Sequence, residues 1–234
     1  MNERSLCRFT GLAVLLAAPL YVAAFLLQGS PPSDRAGGEQ VLAYAGDHRT
    51  AILAAISLTG LVLALALCVQ IGLARILHRA ESDGGLLASL GLVGGVGWIV
   101  VVLAGLVCTL ALAYRPPVGD PQLARSLLDM SVLSFALSAY PTVVNVGAFS
   151  LLMLRSPLFP RWVAWLGFLT GAAHLLAGAA FAHDGLFAPS LMANLIAPAL
   201  YTLWGLATGI VLLRRGTEPT DVVARTTQPV GTLP

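Results

Sequence analysis

The chain has 234 residues, of which 57% are hydrophobic and 10% charged, with a mean hydropathy of +0.84 and a formal net charge of +2. Soluble domains carry about 25% charged residues, so this composition excludes a core built for water, and the small charge without a basic helix excludes nucleic acid as a partner. Cys7, Cys68 and Cys108 have no ligand-like spacing, so neither a disulfide framework nor a cysteine metal site is expected.

Six apolar runs fill the chain, at about 9–27, 50–73, 86–114, 127–154, 162–181 and 186–213. Each approaches the ~20 residues that carry a helix across ~30 Å of hydrocarbon. The first run follows Arg4 and Arg8 and contains Val22-Ala23-Ala24. That pattern also fits a cleaved signal peptide, a reading ranked second because the run continues through Phe25, Leu26 and Leu27. The break at 28–49 opens on Ser30-Pro31-Pro32-Ser33, a stiff turn. It continues into Glu39-Gln40-Val41-Leu42-Ala43-Tyr44, a short amphipathic piece suited to a membrane surface. Arg115-Pro116-Pro117 stops the third run, because proline cannot continue the helix ladder. Pro141, Pro189 and Pro198 fall inside the fourth and sixth runs, where each predicts a kink more readily than a functional hinge.

All thirteen basic residues are arginine. Consecutive spans alternate sides, which sorts the arginines into two sets. Arg4, Arg8, Arg75, Arg79, Arg155, Arg161, Arg214, Arg215 and Arg225 make nine on one side, and Arg35, Arg49, Arg115 and Arg125 make four on the other. The positive-inside rule places both termini in the cytoplasm. The expected fold is an all-α polytopic bundle of six transmembrane helices in the inner (plasma) membrane. Residues 1–215 form the membrane domain, and 216–234 a polar, disordered cytoplasmic tail.

Lipid does not drive helices together, so small residues must let backbones approach. Gly91 and Gly95, Gly167 and Gly171, and Gly205 and Gly209 each have the four-residue spacing of close helix contacts. Gly167, Gly171, His174 and Gly178 form one stripe along the fifth helix.

No Asp, Glu, Arg or Lys lies in the middle of a run, which speaks against a proton-coupled pump or an ion channel. No metalloprotease, phosphate-loop or nucleophile-elbow motif is present, and neither a metal nor a cofactor is expected. Tyr140, Asn145, His174, Asn194 and Tyr201 are the polar residues picked out at depth. A helical rise of ~1.5 Å per residue puts His174, Tyr140 and Asn194 at one level in the outer half of the membrane. The plain interpretation is a set of interhelical hydrogen bonds with His174 donating to Asn194 or Tyr140. The sharper one is a polar end to an apolar cavity. There His174, with Asp129 or Tyr140, would act as an acid/base pair, while Asn194, Asn145, Tyr201, Trp98 and Trp204 would contact a ligand.

The stretch Phe159-Pro160-Arg161-Trp162-Val163-Ala164-Trp165-Leu166-Gly167-Phe168 and the ending Pro198-Ala199-Leu200-Tyr201-Thr202-Leu203-Trp204-Gly205, which leads to Arg214-Arg215, carry a resemblance. With six spans and a long first outer loop, the chain resembles a family of uncharacterised bacterial six-helix membrane proteins, a domain-of-unknown-function group with a Pro-Arg-Trp start to the fifth helix. The resemblance implies an architecture and carries no catalytic residues. In size and helix content the chain is also similar to the small integral-membrane terpene cyclases. Those use acids to start cyclisation, and Asp129 is the one acid near a span here.

Three functions remain in view. The first is a membrane protein binding a lipophilic small molecule or lipid. The second is a membrane-embedded acid/base enzyme, a cyclase or isomerase of an isoprenoid-like substrate. The third is an accessory subunit whose glycine stripes dock a partner helix or another copy.

Overall fold

The computed structural model describes residues 2–33, 35–81, 84–114, 120–181, 187 and 191–217, and among these the chain is helical with no strand. Helix α1 (Glu3–Gln28) begins at Asn2, whose side chain accepts from the Ser5 N–H at 2.8 Å. The amphipathic piece of the first loop forms α2 (Gly38–Asp47), and α3 (Arg49–Leu77) runs on into a tight turn at His78–Ala80. Helix α4 (Leu86–Tyr114) starts against the Glu81 carboxylate, which accepts from the N–H groups of Leu87 and Ala88 at 2.8 and 3.2 Å. Then come α5 (Pro121–Leu137), α6 (Ala139–Arg155), α7 (Arg161–Gly178) and α8 (Ala197–Thr217). Asp34, Arg115-Pro116-Pro117, His183, Asp184, Pro189, Arg225 and the tail from 218 lie outside the described residues.

The structure departs from straight spans at two prolines. The fourth run is two helices that meet at Ser138. Pro141 has no N–H for the Leu137 carbonyl, and its ring crowds that carbonyl, so the helix breaks one turn upstream. The Ser138 hydroxyl donates instead to Phe135 O at 2.7 Å. The sixth run opens in a π-helical turn, Met192–Ile196, in which the Ala197 N–H reaches back to Met192 O. Pro198 likewise deprives Asn194 O of its ordinary donor.

Five helical stretches are long and apolar enough to cross a membrane: Glu3–Gln28, Arg49–Ala80, Leu86–Tyr114, Pro121–Arg155 and Met192–Thr217. Helix α7 has 18 residues, about 27 Å of helix, and is not among these five. Large apolar side chains face outward along the bundle, including Phe9, Leu12 and Leu16 on α1 and Val93, Val100 and Val107 on α4. An apolar exterior of this extent requires lipid as its solvent. The protein is a multi-pass membrane protein.

Helices α1, α3, α4, α6, α7 and α8 form a ring in chain order, each packed on the next, and α8 closes back onto α1. Side-chain bonds define the two poles. At one, Arg8 Nε donates to Gly216 O at 2.8 Å and Arg79 pairs with Glu3, gathering the start of α1 with the ends of α3 and α8. At the other, Tyr44 OH donates to Gln28 O at 2.6 Å. There too Arg49 donates to Ala113 O and Tyr114 O at 3.1 and 3.3 Å, and Arg125 to Ser33 O and Ala36 O at 3.2 and 3.0 Å. Arg8 and Arg49 each place a cation on the carbonyl end of a neighbouring helix, where it interacts favourably with the helix dipole.

Glycines set the closest seams. A Cβ at Gly94 would come within 2.7 Å of both Asn145 N and Pro141 O, so α4 and α6 touch backbone to backbone. A Cβ at Gly11 would lie 2.9 Å from Gly209 O, and that pair joins α1 to α8. The stripe on α7 is turned inward: a Cβ at Gly167 would strike Ser150 and Trp204, and Gly178 abuts Tyr140.

Candidate functional site: a cavity with a polar wall

The main hydrophobic core gathers at the pole of Arg8, around Leu73, Leu77, Phe149, Leu152, Met153 and Leu212. A second cluster of small residues, including Ala136, Ala139, Ala173, Ala177 and Ala197, packs the break between α5 and α6 against α7. A cavity of about 150 Å³ at mid-height is walled by residues from α1 and from α3 to α8. Its apolar wall includes Val14, Val62, Leu63, Val102, Phe135 and Ala177. Its polar and aromatic wall includes Gln70, Trp98, His174, Tyr201 and Trp204. The rings sit edge to face or tilted around Tyr201, with centroids 5.2 Å from Trp98, 5.8 Å from Trp204 and 5.9 Å from His174.

One hydrogen-bond chain crosses the ring of helices, and its direction is fixed by a backbone carbonyl. Gly91 O can only accept, so the Asn145 atom 2.6 Å away is the amide nitrogen. That nitrogen also reaches Gln70 at 2.7 Å, so the Gln70 atom facing it is the oxygen. Gln70 therefore presents its own nitrogen to Tyr201 and donates to the phenol oxygen at 3.0 Å. Tyr201 accepts, and its own O–H proton has no acceptor among the described residues.

His174 is bound from one side only. It is 6% exposed, and its Nδ1 lies 2.9 Å from Thr170 O, one turn back on α7. Because a carbonyl only accepts, Nδ1 carries the hydrogen, and in the neutral ring Nε2 is a bare acceptor. Nε2 has no hydrogen-bond partner among the described residues. Asn145 Oδ1, Trp204 Nε1 and Thr208 Oγ1 are buried without partners close by.

The residues expected to matter fall into two groups. Trp98, His174, Tyr201 and Trp204 line the cavity, and Asn145 stands one bond behind it through Gln70. Asp129, Tyr140 and Asn194 do not line it. Asp129 pairs with Arg125 one turn away at 2.5 Å, and Tyr140 is 48% exposed and donates to Gly178 O at 3.0 Å. The expected meeting of His174 with Tyr140 and Asn194 does not form. Tyr140 meets α7 one turn further on, at Gly178, and Asn194 sits within the π turn. Gln70 was missed in the sequence. It is 2% exposed in the last third of α3, and an amide among Cys68, Val69 and Ile71 is a costly group that needs partners. That cost was a signal available from the sequence. Among the described residues no group of His, Cys, Asp or Glu is placed to hold a metal ion.

Residues 9–216 match the family model for the domain of unknown function DUF4386. The chain belongs to the DUF4386 family. No curated protein and no solved structure matches it. In this DUF4386 member the matched segment holds every residue of the cavity wall, from Val14 to Thr208, and the whole Asn145–Gln70–Tyr201 chain.

Proposed function

We propose that this protein is a six-span inner-membrane protein with both termini in the cytoplasm, and that it holds a lipophilic small molecule in the bundle cavity. The carrying observation is a largely apolar cavity, about 150 Å³, whose lining includes the hydrogen-bonding side chains of Gln70, His174 and Tyr201. A space of this size admits a benzene-sized group, so it encloses a small ligand or one end of a longer one. The nine-to-four arginine bias supports the orientation. The shared pole of the α1 start and the α8 end supports an even number of crossings.

The enzyme reading draws on His174, but a cyclase-like start needs an acid in the cavity, and Asp129 stands outside it with Arg125. The accessory-subunit reading is weakened by the inward turn of Gly167 and Gly178. The binding reading is tested by purifying the protein in lipid nanodiscs and identifying bound lipophiles by mass spectrometry. A bound apolar molecule lost on filling the cavity with Ala66→Trp, in a protein that still folds, supports it. A protein that retains nothing and is stabilised by no apolar compound refutes it. The topology is tested with single cysteines in a cysteine-free background. Ser30→Cys should react with an impermeant maleimide on intact cells, and Pro157→Cys only after lysis.

A further inference from the structure

The cavity wall is specific about the polar end of what it holds. Among the lining groups that lack partners, two neighbours are of opposite kinds. Tyr201 has an O–H proton to give, because Gln70 already occupies its oxygen as a donor. His174 Nε2 has a lone pair to offer, because Nδ1 is committed to Thr170 O. Their rings are neighbours, 5.9 Å between centroids, and both face the cavity. A ligand oxygen that accepts from Tyr201 while donating to His174 satisfies both at once. Only an oxygen bearing hydrogen does this, so an ether, ketone or ester leaves His174 unmet.

The wall also excludes charge. Among the described residues no Arg, Lys, Asp or Glu lines the cavity, and an anion or cation taken from water into such a site without a counter-ion is strongly disfavoured. A carboxylate or phosphate headgroup would meet hydroxyl and indole donors but no cation among the described residues. An ammonium group would meet only aromatic faces and one nitrogen lone pair, with no carboxylate. From these observations we infer that the ligand is a neutral, hydroxyl-bearing lipophile, such as a long-chain or isoprenoid-like alcohol. Its O–H bridges Tyr201 and His174, and its hydrocarbon lies against Val14, Val62, Leu63, Val102 and Phe135. The inference rests on the cavity-binding reading and adds the headgroup to it.

The tryptophans provide the assay. Of the four, Trp98 and Trp204 line the cavity, while Trp162 and Trp165 are 57% and 62% exposed on the outer surface. A Trp162→Phe/Trp165→Phe background leaves the two cavity reporters, which a bromine atom quenches on contact. Three probes of equal chain length, each with its bromine at or beside the head carbon and so close to Trp98 and Trp204 when the head is seated at Tyr201, are titrated in nanodiscs: 2-bromododecan-1-ol, 2-bromododecanoate at a pH where it is ionised, and 1-bromododecane. The alcohol should bind most tightly, by about tenfold over the hydrocarbon for the hydrogen bonds it adds, and the carboxylate least. Tyr201→Phe or His174→Ala should bring the alcohol's quenching down to that of bromododecane measured in the same variant. The hydrocarbon therefore reports that the cavity is still formed. Equal quenching by all three probes, unaffected by either substitution, overturns the hydroxyl assignment and leaves cavity binding standing. Quenching by none of them, in folded protein, overturns the cavity reading itself.

Discussion

Gln70 is the joint on which the polar chain turns, and replacing it with leucine isolates its contribution. Leucine has similar bulk and suits the apolar neighbours, so the change removes hydrogen bonds rather than packing. Two are lost: Asn145 to Gln70 at 2.7 Å and Gln70 to Tyr201 at 3.0 Å. Interhelical side-chain bonds in membranes average about 0.6 kcal/mol and reach about 1.7. Two of them, with one Asn145 hydrogen left without an acceptor, give an expected destabilisation of about 1–2 kcal/mol. The figure is smaller than the same loss would be in a soluble core, since polar groups in the unfolded membrane state also find partners.

The measurement is reversible unfolding in mixed micelles, run on Gln70→Leu, Tyr201→Phe and the double variant. If Gln70 donates to Tyr201 as assigned, the double variant should lose about 0.6 kcal/mol less than the sum of the singles. Additivity within about 0.3 kcal/mol would show that the two side chains do not interact. A Gln70→Leu protein as stable as the parent would refute the chain of bonds altogether.

Other expectations follow from the seams, the termini and α2. Gly94→Ala should destabilise by more than about 2 kcal/mol, since its methyl would meet backbone atoms of Pro141 and Asn145 that cannot step aside, as read by the same unfolding assay. Gly46→Ala on exposed α2, with nothing within 4 Å of the new methyl, should be neutral or stabilise by up to about 1 kcal/mol. Arg8→Ala should loosen the end of α8 at a cost of about 1 kcal/mol, seen as faster amide exchange near Gly216, because the Gly216 carbonyl loses its cationic donor. Burial raises the Tyr44 hydroxyl above the usual tyrosine value. Its contribution to anchoring α2 is therefore complete below that usual value and is lost as pH rises through the raised one. A spin label at Gly46→Cys should gain mobility in strong alkali, and Tyr44→Phe should abolish the pH dependence.

Much of the architecture was legible because hydrocarbon imposes a coarse code. Runs of twenty or so apolar residues had to become helices, and the arginines had to collect at their ends. The amphipathic stretch around Val41 and Tyr44 became α2 for the same reason. The break at Ser138 and the π turn were hinted at by Pro141 and Pro198, but a proline does not say in which direction the helix will turn. A common depth for Tyr140, Asn194 and His174 therefore does not bring the three together, while His174 and Tyr201 both line the cavity. Gln70 carries neither charge nor catalytic chemistry to mark it out in the sequence. The cost of burying any amide in lipid would have singled it out as surely as Asn145. The pairing of Gly11 with Gly209 joins two residues far apart in the chain, and no local pattern could specify that they meet.

The ring closes by bringing its first member against its last, and this fixes an order of events during synthesis. A polypeptide is delivered to the bilayer from its amino end, so α1 is in place long before α8 exists. Until α8 arrives, the flank of α1 around Gly11 and Val14 has only lipid or a chaperone to rest against, and the cavity has a missing stave. The compartment is therefore completed only when the last helix is inserted.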